Sequence, residues 1–237
     1  MRFFVIMSFV MAAIIVAGFS LNIVMGRSSF AVPAIVHVHA FVFFGWVALY
    51  LAQNVFVGSG SLALHRRLGW LALLWVPLMV ALGTLMTVLS VQHGAPFFFD
   101  VRQFLISNPA QLMLFGALVF AALTMRRRTG WHRRLMFCAM AILTGPGFGR
   151  MLPMPLLMPY AWYAALVAVL VFPIIGILAD YRRDGRIHPA WAWGIGLMLG
   201  VQAVADGIAF SPAGTALAKG IVAGTAGSHR PLTPNWP

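Results

Sequence analysis

The chain has no glutamate, and its acids number four: Asp100, Asp180, Asp184 and Asp206. Only 8% of its residues are charged, against roughly a quarter in a water-soluble domain. A solvated surface cannot be built from that, so the soluble globular classes are excluded. Cysteine occurs once, at Cys138 inside an apolar run. An intrachain disulfide and a CxxC metal pair are therefore both excluded, and Cys138 reads as a small core residue.

What the chain does have is apolar length. Hydrophobic residues make up 62% of the 237, in runs long enough to cross a hydrocarbon core of about 30 Å. The net charge of +12 does not point to nucleic acid. The arginines fall in short segments between apolar runs, which is the positive-inside pattern of a membrane protein.

Three of those segments echo one another: Leu64-His-Arg-Arg-Leu-Gly-Trp70, Gly130-Trp-His-Arg-Arg-Leu-Met136 and the looser Arg186-Ile-His-Pro-Ala-Trp191. Each sets a histidine at the start of a long apolar run. Around them the sequence predicts seven helices. Helix 1 covers Phe3 to Met25, too long for a signal-peptide core. Helix 2 covers Pro33 to Val57, and helix 3 Leu68 to Val91 with a kink at Pro77. A long loop from His93 to Ser107 precedes helix 4, Asn108 to Met125, with Asn108 as N-cap and Pro109 in the first turn. Helix 5 covers His132 to Met151 and is bent at Gly145-Pro-Gly147. Helix 6 covers Tyr160 to Ala179, and helix 7 Pro189 to Phe210, whose Gly196-x-x-x-Gly200 spacing suits a close helix crossing. Residues 1–210 form the transmembrane domain, and 211–237 a tail expected on the surface or disordered.

The fold class is thus an all-α, polytopic transmembrane bundle of about seven helices. Eleven basic residues (Arg2, Arg66, Arg67, Arg126, Arg127, Arg128, Arg133, Arg134, Arg182, Arg183, Arg186) fall on one side, and five (Arg27, Arg102, Arg150, Lys219, Arg230) on the other. That asymmetry puts the N-terminus in the cytoplasm and the C-terminus outside.

Two groups of polar residues are candidates for chemistry. On the cytoplasmic side, His65, His132 and His188 begin helices, where the dipole favours neutral imidazole. No metal site is expected there; these three are the secondary candidates should one exist. The adjacent Arg66, Arg67, Arg133 and Arg134 read as anchors for anionic lipid. On the outer side, a charge within a span marks a candidate site. His37, His39, Arg150 and Asp206 sit at similar depth, with His93, Asp100 and Arg102 in the loop above. Arg150 and Asp206 are expected to form an ion pair. Of His37 and His39, spaced about 200° apart on a helix, one alone can face the bundle. Gln53, Asn54 and Gln202 are expected to hydrogen-bond between helices. Trp70, Trp131, Trp191 and Trp193 are expected in an interfacial aromatic belt.

The run His37-Val-His-Ala-Phe-Val-Phe-Phe-Gly-Trp46, then Gln53, Leu62-Ala-Leu-His-Arg-Arg-Leu-Gly69, Trp131-His-Arg-Arg-Leu135 and Gly185-Arg-Ile-His-Pro189 resembles a family of small, uncharacterised bacterial multi-pass membrane proteins over about residues 10–195. The resemblance implies the bacterial inner membrane and this helix count, and carries no activity. A looser likeness to cytochrome-b561-type bundles rests on the histidine-bearing helices, but paired histidines across two helices are lacking here.

The resulting expectation is a non-catalytic or accessory subunit of a larger membrane complex, with lipid and partner subunits as its contacts and no nucleic acid. Two alternatives stand beside it. One is a redox or small-ligand protein that binds haem or quinone through the outer His/Arg/Asp cluster. The other is a small transporter.

Overall fold

The computed structural model describes residues 2–234. Ten α-helices follow one another: α1 (Arg2–Val24), α2 (Ala34–Gly58), the short α3 (Leu62–Gly69), α4 (Ala72–Gln92), α5 (Val101–Thr124), α6 (Thr129–Leu143), the short α7 (Gly145–Met151), α8 (Ala161–Asp184), α9 (Pro189–Ala209) and α10 (Pro212–Val222). Among the described residues there is no strand. Six helices, α1, α2, α4, α5, α8 and α9, are long and apolar enough to cross a membrane.

The expected fifth span is divided. Thr144 closes α6, its hydroxyl donating to the Ala141 carbonyl at 2.6 Å. Pro146, which has no N–H to donate, then sits in the first turn of α7. The two pieces still run beside α1 in the same direction. Phe137 of α6 meets Phe3 and Phe4, each with ring centroids 5.8 Å apart. At the far end Gly147 of α7 lies against Gly18 of α1.

Three boundaries differ from expectation. The first is at helix 3, where Leu62–Gly69 forms a separate helix of about two turns, α3, with α4 starting afresh at Ala72. Second, helix 4 begins seven residues earlier than expected, at Val101. Asp100 is its cap, accepting from the Arg102 and Gln103 backbone N–H groups at 2.9 and 3.3 Å. An aspartate that satisfies two orphan donors defines a start better than Asn108 does. Asn108 instead bonds sideways to Thr87 Oγ1 at 2.6 Å, and Pro109 is inside the helix. Third, the segment from Ser211 is ordered through residue 234, while 235–237 of the expected tail lie outside the described residues. Ser211 caps α10 by accepting from Gly214 N–H at 3.1 Å. Ala218 and Val222 are buried with Val91, Val101 and Leu105. Further on, Arg230 donates to the carbonyls of Gly94, Pro96, Phe97 and Phe99, at 2.6–3.1 Å. The guanidinium fork thereby fastens the segment around Arg230 across the loop between α4 and α5.

The core lies where α5, α6 and α9 meet. Trp46 packs edge-on to Phe115 at 5.4 Å, and Phe137 edge-on to Trp191 at 5.3 Å. Small residues make room for them: a Cβ on Gly176 would collide with the Trp191 ring, and one on Gly194 with Cys138. Cys138 is buried, as expected of a small core residue. The Gly196–Gly200 pair plays no such part, since among the described residues nothing comes within 4 Å of the Cβ position at either.

Candidate functional site

The end of the bundle that carries the histidine turns holds a closed ionic knot. Arg134 Nε and Nη2 each donate to Asp180 at 2.7 Å, and Arg134 Nη1 donates to the Gly130 carbonyl at 2.9 Å. Trp191 Nε1 adds a bond to Asp180 at 2.6 Å, and Arg183 one at 3.2 Å. The Arg134 and Asp180 side chains are each only 3% exposed. Arg134 is therefore not a lipid anchor, and Trp191 is not in a lipid-facing belt. The cause is that α8 runs on to Asp184, which turns Asp180 inward as the one carboxylate able to neutralise an enclosed arginine. Arg133 lies over the Phe4 ring at 5.1 Å, with its Nε enclosed and unpartnered. Of the four expected anchors, Arg66 and Arg67 alone are exposed. Trp70 and Trp193 are exposed too, at 57% and 59%.

The three histidines part company. His65 and His132 approach, with ring centroids 6.1 Å apart and planes at 82°. His188 serves α9, its Nδ1 accepting from Ala190 N–H at 3.2 Å, and its ring stands edge-on to Trp131 at 5.4 Å. Among the described residues no group of three or more His, Cys, Asp or Glu is placed to hold a metal. Burial first, then the neighbouring His132, push the His65 imidazole below its ordinary range. Burial first, then Arg134, do the same to His188.

At the opposite end the expected constellation also divides, and Arg150 and Asp206 form no ion pair. Asp206 is held by neutral donors: Gln103 Nε2 at 2.8 Å, Gln202 Nε2 at 2.8 Å and the Tyr163 hydroxyl at 3.1 Å. Gln202 passes the network on, donating to Ser107 Oγ at 3.0 Å and accepting from Trp162 Nε1 at 2.9 Å. Gln202 thus bonds between helices as expected, whereas Asn54 bonds only to the Tyr50 carbonyl of its own helix. Arg102 stays with Asp100 at 2.7 Å. His93 is exposed and bonds to the Leu89 carbonyl at 2.7 Å. Sequence reasoning missed Gln103, Ser107 and Gln111, which recur every fourth residue along one face of α5. With 103 and 107 assigned to a loop, that stripe was not visible.

Arg150 and His39 make the other corner. His37 is exposed, while His39 turns inward and packs on Phe43 at 4.2 Å. The Arg150 guanidinium lies over the Phe19 ring at 3.9 Å, and Phe19 in turn packs on Phe44 of α2 at 5.4 Å. Arg150 Nη1 donates to the Pro146 carbonyl of its own helix at 2.8 Å. Arg150 Nε and His39 Nδ1 are both enclosed and lack any hydrogen-bond partner. No acid answers this charge among the described residues, where the ion pairs are those of Asp100, Asp180 and Asp184. Chemically, Arg150 is a forked donor on an aromatic floor, suited to an oxyanion.

Comparison with models of protein families, with curated proteins and with solved structures finds no match.

Proposed function

We propose that this integral membrane protein binds a small anionic ligand, a carboxylate or phosphate headgroup, at the corner formed by Arg150 and His39. One observation carries the reading: Arg150 Nε and His39 Nδ1 are each enclosed without a hydrogen-bond partner, and no carboxylate pairs with the arginine among the described residues. A charge within the span is costly and normally paired, and here the chain supplies the cation without its counterion. The ligand is read as outer-leaflet, because the arginine asymmetry puts this end of the bundle outside, in a bacterial inner membrane that the chain crosses seven times with α6 and α7 as the broken span. A C-terminal reporter active only in the cytoplasm is expected to stay dark; if it is active, that orientation is wrong.

Native mass spectrometry tests the site. The purified protein is expected to retain one molecule of phosphatidylglycerol from lipid nanodiscs, or to bind inorganic phosphate if the ligand is soluble. Arg150→Gln should lower occupancy at least about tenfold, the equivalent of roughly 1.4 kcal/mol. Arg150→Lys should restore it only in part, because an ammonium lacks the fork. Equal occupancy in wild type and Arg150→Gln would remove the proposal.

A second reading, a non-catalytic subunit of a larger complex, is favoured by the open Gly196–Gly200 face of α9. Small residues at this spacing let another helix approach closely, and none among the described residues does. If Gly196→Leu with Gly200→Leu leaves the mass of the detergent-extracted assembly unchanged, that face holds no partner.

A further inference from the structure

We propose that the groove between α4 and α5 holds one acyl chain of an anionic phospholipid, whose phosphate sits on Arg126. The groove spans about 560 Å³, and among the described residues its lining is apolar apart from Thr84. Small-ligand sites occupy about 300–1,000 Å³. On α5 the groove follows the helical stripe Met113, Gly116, Ala117 and Phe120, large at the ends and small between, over roughly 10 Å of axis. Gly116 brings the two helices together, since a Cβ on it would stand 3.4 Å from Val76 and 3.5 Å from Val80. Met113 and Phe120 rise at either end of the resulting trough, 57% and 38% exposed.

Shape selects a chain rather than a protein. The trough is the seam of two helices in contact, and such axes stand about 8–10 Å apart. A third helix, about 10 Å across with its side chains, would rest on the rims. A single methylene chain can lie along the floor beside Gly116 and Ala117.

Charge selects the headgroup. Arg126 follows Phe120 by six residues, at the end of the bundle that carries the histidine turns. Its guanidinium lies over the ring of Trp70, just before α4, at 5.5 Å, so arginine and indole together close that end of the α4–α5 seam. An indole at headgroup level is the usual interfacial placement. Arg126 Nη1 donates to the Leu123 carbonyl of its own helix at 3.2 Å, which leaves the rest of the fork to a phosphate. No acid pairs with Arg126 among the described residues, and the exposed Arg127 and Arg128 come next. Three consecutive cations attract an anionic lipid and repel a choline headgroup.

The groove is open along its side, so its lipid exchanges and is best captured covalently in the membrane. The full chain is placed in phosphatidylcholine nanodiscs with a trace of phosphatidylglycerol carrying a photoreactive diazirine midway along one acyl chain. After illumination, peptides spanning Val76–Thr84 and Met113–Phe120 are expected to carry the label. A phosphatidylcholine probe with the same chain should label them at least about fivefold less. Arg126→Gln should bring phosphatidylglycerol labelling down to the phosphatidylcholine level. Ala117→Phe, which fills the trough from an exposed position, should remove the Met113–Phe120 label for both probes. Arg182→Gln, an exposed arginine at the same end of the bundle, should leave labelling unchanged. Equal labelling by the two probes, or equal phosphatidylglycerol labelling of wild type and Arg126→Gln, would show ordinary boundary lipid and overturn the site.

Discussion

Asp180→Asn is expected to lower the stability of the folded protein by about 3–5 kcal/mol, the usual cost of removing one partner from a buried ion pair. The loss comes less from the missing attraction than from what remains. Arg134 would keep its charge in a site where its side chain is 3% exposed, facing a neutral amide that must still receive Trp191 Nε1. Replacing both partners by apolar residues, Arg134→Met with Asp180→Leu, should cost less than the single change, because no charge is then left behind. Unfolding in mixed detergent, followed through a double-mutant cycle, measures the coupling. Additive effects in that cycle would sink the interpretation. The pair should also resist salt, since a buried contact is poorly screened.

Gly18→Val should cost about 1–3 kcal/mol as overpacking, and it should weaken occupancy of the Arg150 corner as well. A Cβ at Gly18 would stand 2.5 Å from the Gly147 carbonyl oxygen, and one at Gly147 3.0 Å from the Ile14 carbonyl oxygen. The obstructing atoms are backbone and cannot rotate aside, so α1 and α7 must separate. Phe19, the floor under the Arg150 guanidinium, is the next residue along α1 and moves with it. Gly200→Val is the control. Nothing lies within 4 Å of its Cβ position, so its effect should stay within about 0.5 kcal/mol. Equal midpoints for the two variants would show that the α1–α7 crossing is looser than described.

Much of this architecture was legible in the sequence for a simple reason. Whether a segment suits hydrocarbon is a sum over its own residues, and that sum needs no knowledge of its neighbours. Hence the apolar stretches, the Pro-Gly break between α6 and α7, the rule that one alone of His37 and His39 faces the bundle, and the exposed Arg66 and Arg67 all follow from local composition and helical period. Pairing is different in kind. Arg134 reaches Asp180 across 46 positions and Gln103 reaches Asp206 across 103. Each pairing depends on the rotation of two helices about their axes and on which third helix lies between them. No period along the chain encodes that. The same limit explains why two arginines in one repeated turn behave so differently: Arg67 is exposed and Arg134 is buried, although each follows a histidine by two residues. Tertiary structure alone decided that Asp206 is satisfied by amides and a phenol, that Arg150 is left without an acid, and that two of the three histidines meet. In each case the deciding quantity was which side chains the packing of the helices brought together: amides and a phenol around Asp206, no acid at Arg150, and one histidine against another across α3 and α6.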